Sequence, residues 1–121
     1  MVPAVSQQLR VLPGEFVVEH LGDGAPAPDG EWLALVRAPE GLTVIRPARP
    51  DERDRWTAFY GGDTAHAVDV PGMLAALLAP LAADGIPVFV ASTFHADVVL
   101  VPSERVAAAR AALRTAGHII A

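Results

Sequence analysis

The sequence predicts an α+β fold, and three observations lead to that prediction. Apolar residues make up 52% of its 121 positions, enough for one compact domain or two very small lobes sharing a core. The second half alternates short β-type runs with two stretches of helical periodicity. The first half holds three β-type runs separated by Pro/Gly turns, with no helical stripe.

Leu12 to Leu21 alternates imperfectly and reads as a strand, with Phe16 and Val18 on one face. Gly22 to Gly30 is a Pro/Gly loop that no regular helix tolerates. Trp32 to Val36 and Leu42 to Ile45 read as two strands, joined by Pro39-Glu40-Gly41 with its glycine free to take a positive φ. Arg46 to Arg55 is charged, carries two prolines, and reads as an exposed connector with a solvated run of Asp51, Glu52 and Asp54.

Trp56 to Tyr60 is a short aromatic strand, and His66 to Val70 either a continuing strand or an extended lead-in to a helix. That helix is expected over Pro71 to Ala83, with Asp69 capping it and Gly85 ending it. Met73, Leu74, Leu77, Leu78 and Leu81 give the stripe of a helix laid on a sheet. Pro80 interrupts the stripe and is expected to bend or shorten the last turn. Ile86 to Phe94 and Val98 to Val101 are apolar strands, too hydrophobic for a one-sided edge. Ser103 is placed to cap a second helix with a buried stripe of Val106, Ala109, Leu113 and Ala116. Gly117 stops it, and His118-Ile119-Ile120 begins a last strand. From Trp56 onward the order is therefore β-α-β-β-α-β, a ferredoxin-like unit.

Composition excludes several function classes. A net charge of −5 argues against a nucleic-acid partner. Lys, Cys and Asn are absent, which removes Schiff-base, P-loop-lysine and thiol chemistry together with thiolate metal sites. The three serines, Ser6, Ser92 and Ser103, stand in no nucleophile-elbow context. His20, His66, His95 and His118 have no metal-ligand spacing. No cofactor, no metal and no enzymatic activity are expected. The start of the chain lacks a signal-peptide pattern and no apolar run spans a bilayer, so a soluble cytoplasmic protein is expected.

The polar insert Ser92-Thr93-Phe94-His95-Ala96-Asp97 interrupts two apolar runs, so the reactive side chains gather at one tight turn. Asp97 is placed either to pair with a ligand ammonium or guanidinium group, or to accept backbone N–H bonds within the turn. Gly72 either lets a ligand carboxylate approach the free N–H groups of the first helix or provides close helix–strand packing.

These segments, with Gly72-Met73-Leu74, Leu81 to Ile86 and Leu113 to His118, resemble the ACT domain. More narrowly they resemble the small ACT-containing bacterial proteins related to animal cytosolic arginine sensors, and the likeness extends upstream to Leu12-Pro13, Glu31-Trp32 and Leu42 to Ile45. The resemblance implies a helix-poor, ACT-like N-terminal β lobe over residues 11–50 sharing a core with an ACT domain over 56–121. It also implies a regulatory module that binds an amino acid or similar zwitterion, in a homodimer. Gly72 and Met73 would meet the carboxylate, and Thr93, Phe94 and Asp97 the amine and side chain. The alternative is a structural dimerisation or interaction module with no ligand.

Overall fold

The computed structural model describes residues 6–62 and 72–121. The described residues form eight strands and two α-helices. In order these are β1 (Gln8–Val11), β2 (Phe16–Leu21), β3 (Ala34–Ala38), β4 (Gly41–Pro47), β5 (Trp56–Tyr60), α1 (Met73–Ala83), β6 (Phe89–Ser92), β7 (Asp97–Pro102), α2 (Val106–Thr115) and β8 (Ile119–Ile120). The expected lead-in over His66 to Val70, the Asp69 cap and Pro71 lie outside the described residues.

The predicted β-α-β-β-α-β order holds from β5 to β8, but this unit does not close its own sheet. β1, which the sequence pattern did not reveal, lies between β5 and β8. It runs antiparallel to β5 through Arg10↔Tyr60 and Val11↔Phe59, and parallel to β8 through Gln8↔Ile119 and Leu9↔Ile120. β7 pairs the other edge of β5, and β6 pairs β7. β2 joins β5 at Phe16↔Trp56 and carries β4 and then β3 outward. Four strands therefore precede β5, where three were expected.

The sheet buries both faces, and strand parity divides them. Phe59, Val99 and Val101 join Leu77 and Leu81 of α1 and Ala109 and Leu113 of α2 in one core. Ala58, Val98 and Leu100 point the other way and join Phe16 and Ile45, with Leu33, Ala34, Phe89 and Ala91 packed around them. The N-terminal strands thus curl over the face that the helices leave open. Phe16 and Val18 share that face, as expected.

Both helices end by the same device. Gly85 has φ +67°, its N–H bonds the Ala82 carbonyl, and Ile86 N–H reaches back to Leu81. Gly117 at φ +98° repeats this with Arg114, while His118 N–H reaches Leu113. This is the Schellman arrangement, in which glycine takes the left-handed position without a Cβ clash.

Several local expectations are corrected. Pro80 does not end or shorten α1, which continues to Ala83. Lacking an N–H, Pro80 leaves the Ala76 carbonyl without its helical partner. The buried His118 ring supplies the substitute, with Nε2 2.8 Å from that oxygen. Since Nδ1 accepts the Gln7 N–H at 3.1 Å, His118 carries its proton on Nε2. Ser103 does not cap α2: it opens a short 3-10 turn (Ser103–Arg105), and its hydroxyl bonds Thr57 Oγ1 at 2.8 Å. β6 starts only at Phe89, because Ile86 is drawn into the end of α1. Among the described residues it is also an edge strand, pairing β7 alone.

Candidate functional site

The five residues singled out in the sequence fall at the end of the sheet where β5 leaves and α1 begins. Gly72 is the residue before the first turn of α1, at φ +83°, with open space where a Cβ would stand. Gly72 has no side chain to cap α1 and no described residue does so, which leaves its first N–H groups at the positive end of the helix dipole without a described side-chain partner. Met73 is anchored through its carbonyl, which accepts Gln7 Nε2 at 2.7 Å. Gln7 is buried and borders Gly61, and Gly61 N–H bonds the Asp97 carbonyl at 3.4 Å. A chain of contacts therefore joins the start of α1 to the start of β7.

Parity decides where the acid points. Asp97 shares its face of β7 with Val99 and Val101, the face covered by the helices. Ser92, its register partner on β6, donates its hydroxyl to Asp97 Oδ1 at 2.7 Å. No described residue engages Oδ2. Thr93 is committed to the turn: its N–H and hydroxyl both bond the Ala96 carbonyl, at 2.7 and 2.9 Å, and Ala96 N–H donates back to Oγ1 at 3.0 Å. Phe94 lies at the hairpin tip, 77% exposed, edge-on to the His95 ring at 5.1 Å. It therefore stands in a turn, where the sequence suggested the last residue of a strand.

The opposite end of β5 holds the charges. Arg46, expected in an exposed connector, is only 8% exposed. Its guanidinium grips Glu52 with two bonds of 2.7 Å and touches Glu19 at 3.3 Å. Arg55 spends Nη1 on Glu15, Nη2 on the Arg49 and Pro50 carbonyls, and Nε on the Glu52 carbonyl. The Arg46 bonds, helped by the Arg49 N–H, pull Glu52 down to about 2. The Ser103 hydroxyl and then Arg55 lower Glu15, and Glu52 and Glu19 raise Arg46 above its usual value. The expected solvated run is thus, at Glu52, an ordered clamp. Sequence reasoning missed it because its partners sit on β2, β4 and the connector, with no shared spacing.

Two clefts are relevant. One of about 380 Å³ lies beside the clamp, lined by Glu15, Arg55, Trp56, Pro102 and Ser103. Another of about 400 Å³ opens between β3 and the β6–β7 hairpin and includes Thr93 in its lining. Among the described residues, no cluster of three His, Asp or Glu could hold a metal, and no helix is long and apolar enough to cross a membrane.

A β-α-β-β-α-β unit with two helices on one face of its sheet, and a Gly72 helix start at the same end as an acid-bearing hairpin, defines an α+β domain of the ferredoxin-like type. The ACT domain profile matches residues 51–115, and the chain belongs to the ACT domain family, which implies a small-molecule regulatory module. Two solved structures share the fold over nearly the whole chain. Protein Atu0741 from Agrobacterium tumefaciens is 25% identical with a TM-score of 0.85, the match covering 98% of this chain and 94% of that one. VC0802 from Vibrio cholerae, described as a protein of unknown function and possible transport protein, is 24% identical with a TM-score of 0.77, covering 91% and 88%. No curated protein matches.

Proposed function

We propose that this protein is a non-catalytic regulatory module that binds a free amino acid or similar zwitterion. The observation that carries this reading is one juxtaposition: the start of α1, capped by no described side chain, and the Asp97 carboxylate belong to the same end and the same face of the sheet. The N–H groups after Gly72 and at Met73 suit a carboxylate, since donors and dipole there both favour negative charge. Asp97, with one oxygen unengaged by the described residues, suits an ammonium or guanidinium group. Thr93 contributes by fixing the turn, and Phe94 covers the apolar part once a ligand or a second copy closes over it. In this reading residues 11–50 form a β lobe over the ACT domain of 56–121, and two copies associate. Ligand then acts by its differential affinity for the associated and separate, or open and closed, states.

Isothermal titration with each of the twenty amino acids, repeated on Asp97→Ala, is the test. Heat of binding for at least one of them, with affinity about tenfold weaker in the variant, is expected; silence from all of them at millimolar concentration sinks the reading. A second reading, a docking module without ligand, is favoured by the exposure of Phe94. Sedimentation of Phe94→Ala separates the two: loss of self-association with no amino-acid binding in the parent supports docking.

A further inference from the structure

The curl of the sheet creates a site that the ACT reading does not use. Among the described residues β3 and β6 are both edge strands, at opposite ends of the path β3-β4-β2-β5-β7-β6. Yet Leu33 and Ala34 from one edge and Phe89 and Ala91 from the other pack on the same core. The two edges therefore approach each other without pairing, and the cleft of about 400 Å³ is the space left between them. Such a volume lies within the range of small-molecule sites, roughly 300–1,000 Å³.

Its walls are apolar: Leu33, Ala34 and Leu35 on one side, Tyr60, Ala91 and Val98 on the other. Among the described residues no charged side chain lines it, although 19% of the whole sequence is charged. The polar groups are few. Ser92 and Thr93 form part of the lining, and their hydroxyls are already engaged by Asp97 and Ala96. The Tyr60 hydroxyl is different: no described residue bonds it, and it packs so closely over Gly62 that a Cβ there would overlap it. Val98 and Ala91 point to the sheet face opposite Asp97, so this cleft and the zwitterion site lie on two sides of one hairpin.

We propose that the cleft between β3 and the β6–β7 hairpin is a second ligand site, taking a small, uncharged and largely apolar molecule. An ion entering it would exchange water for walls with no countercharge, a cost that a neutral molecule does not meet. A neutral molecule gains by covering half-buried leucine and alanine surface, and a hydroxyl on it finds the Tyr60 phenol. Ala34 and Ala91 leave the space open, where larger side chains would fill it. Occupancy bridges the two free edges and so ties the N-terminal strands to the hairpin that carries Asp97.

The test is a methyl-resolved NMR titration of the full chain with four probes: 1-hexanol, benzene, hexanoate and hexylammonium. Hexanol and benzene at low millimolar concentration should shift the methyl signals of Ala34, Leu35, Ala91 and Val98. The two charged probes should bind at least about tenfold more weakly. Ala91→Phe should abolish the shifts. Tyr60→Phe, a milder change, should weaken hexanol while leaving benzene unchanged. Asp97→Ala should leave all of them intact, which separates this site from the zwitterion site. Absence of shifts with both neutral probes, equal binding of the charged ones, or full binding by Ala91→Phe overturns the proposal.

Discussion

The two ends of strand β5 differ in how their polar groups are spent. At the Trp56 end, Arg46, Arg55, Glu52 and Glu15 bond one another and the connector carbonyls. At the Gly61 end, buried neutral groups do the fastening: Gln7 holds Met73, and His118 holds Ala76. Among the described residues, nothing caps the start of α1 and nothing engages the second oxygen of Asp97. Counted over those residues, paired charge marks the first end and unspent bonding capacity the second. The clefts nearest the clamp and the hairpin are of similar size, so volume does not distinguish them. A paired guanidinium is committed to the fold, and an unsatisfied group is what a ligand can use.

Four experiments sharpen that contrast. The largest effect is expected from His118→Ala, which strands the Ala76 carbonyl and the Gln7 N–H in a buried place, at about 3 kcal/mol of stability in urea unfolding. In a Pro80→Ala background the same change should cost about 1 kcal/mol less, because residue 80 then supplies the missing N–H. Strict additivity of the two would refute the substitution of His118 for the helical bond.

Arg46→Ala comes next, at about 2 kcal/mol, since it leaves Glu52 and Glu19 facing each other without their shared cation. Arg46→Lys should recover little of this, because an ammonium cannot reproduce the two parallel bonds to Glu52. Amino-acid titrations should be unchanged in either variant. Asp97→Ala should do the reverse, weakening amino-acid binding about tenfold, or about 1.4 kcal/mol, with the unfolding midpoint held. A shifted midpoint with intact binding would make Asp97 a turn residue only.

The smallest effect is expected from acid. Glu52 and Glu15 are both depressed in the folded state, so the unfolded chain takes up their protons first. Their contribution is whole above the ordinary carboxyl value of 4.5 and is lost as pH falls toward about 2. The urea midpoint should decline through that window, and Glu52→Gln should flatten the decline. An unchanged slope in Glu52→Gln would show that the clamp is not its source.

Much of the local structure around the proposed site was legible because its signals are local. The turn from Thr93 to Ala96 is written in side chains that bond their own backbone, and Gly72 opens α1 where a stripe of leucines begins. Phe94 was placed in the right hairpin but given a strand it does not join. Gln7, whose side chain anchors the start of α1, left no pattern to read: the first of two adjacent glutamines, just ahead of a four-residue strand, has no periodicity.

By itself, the chain determined the two helices and their glycine stops, the β5 and β7 strands, the polar hairpin, and the β-α-β-β-α-β order, since each rests on side-chain spacing within a few turns of backbone. Tertiary structure alone decided that β1 slips between β5 and β8, that Pro80 is tolerated, that Glu52 is clamped, and that the edges of β3 and β6 stand apart with a cleft between them. In each of those cases the deciding partner lies outside the element's own periodicity, dozens of residues away for β1 and Pro80 and six for Glu52 with Arg46, or the sheet curls as a whole. Neither leaves a repeat in the sequence, because only folding brings those groups within bonding distance.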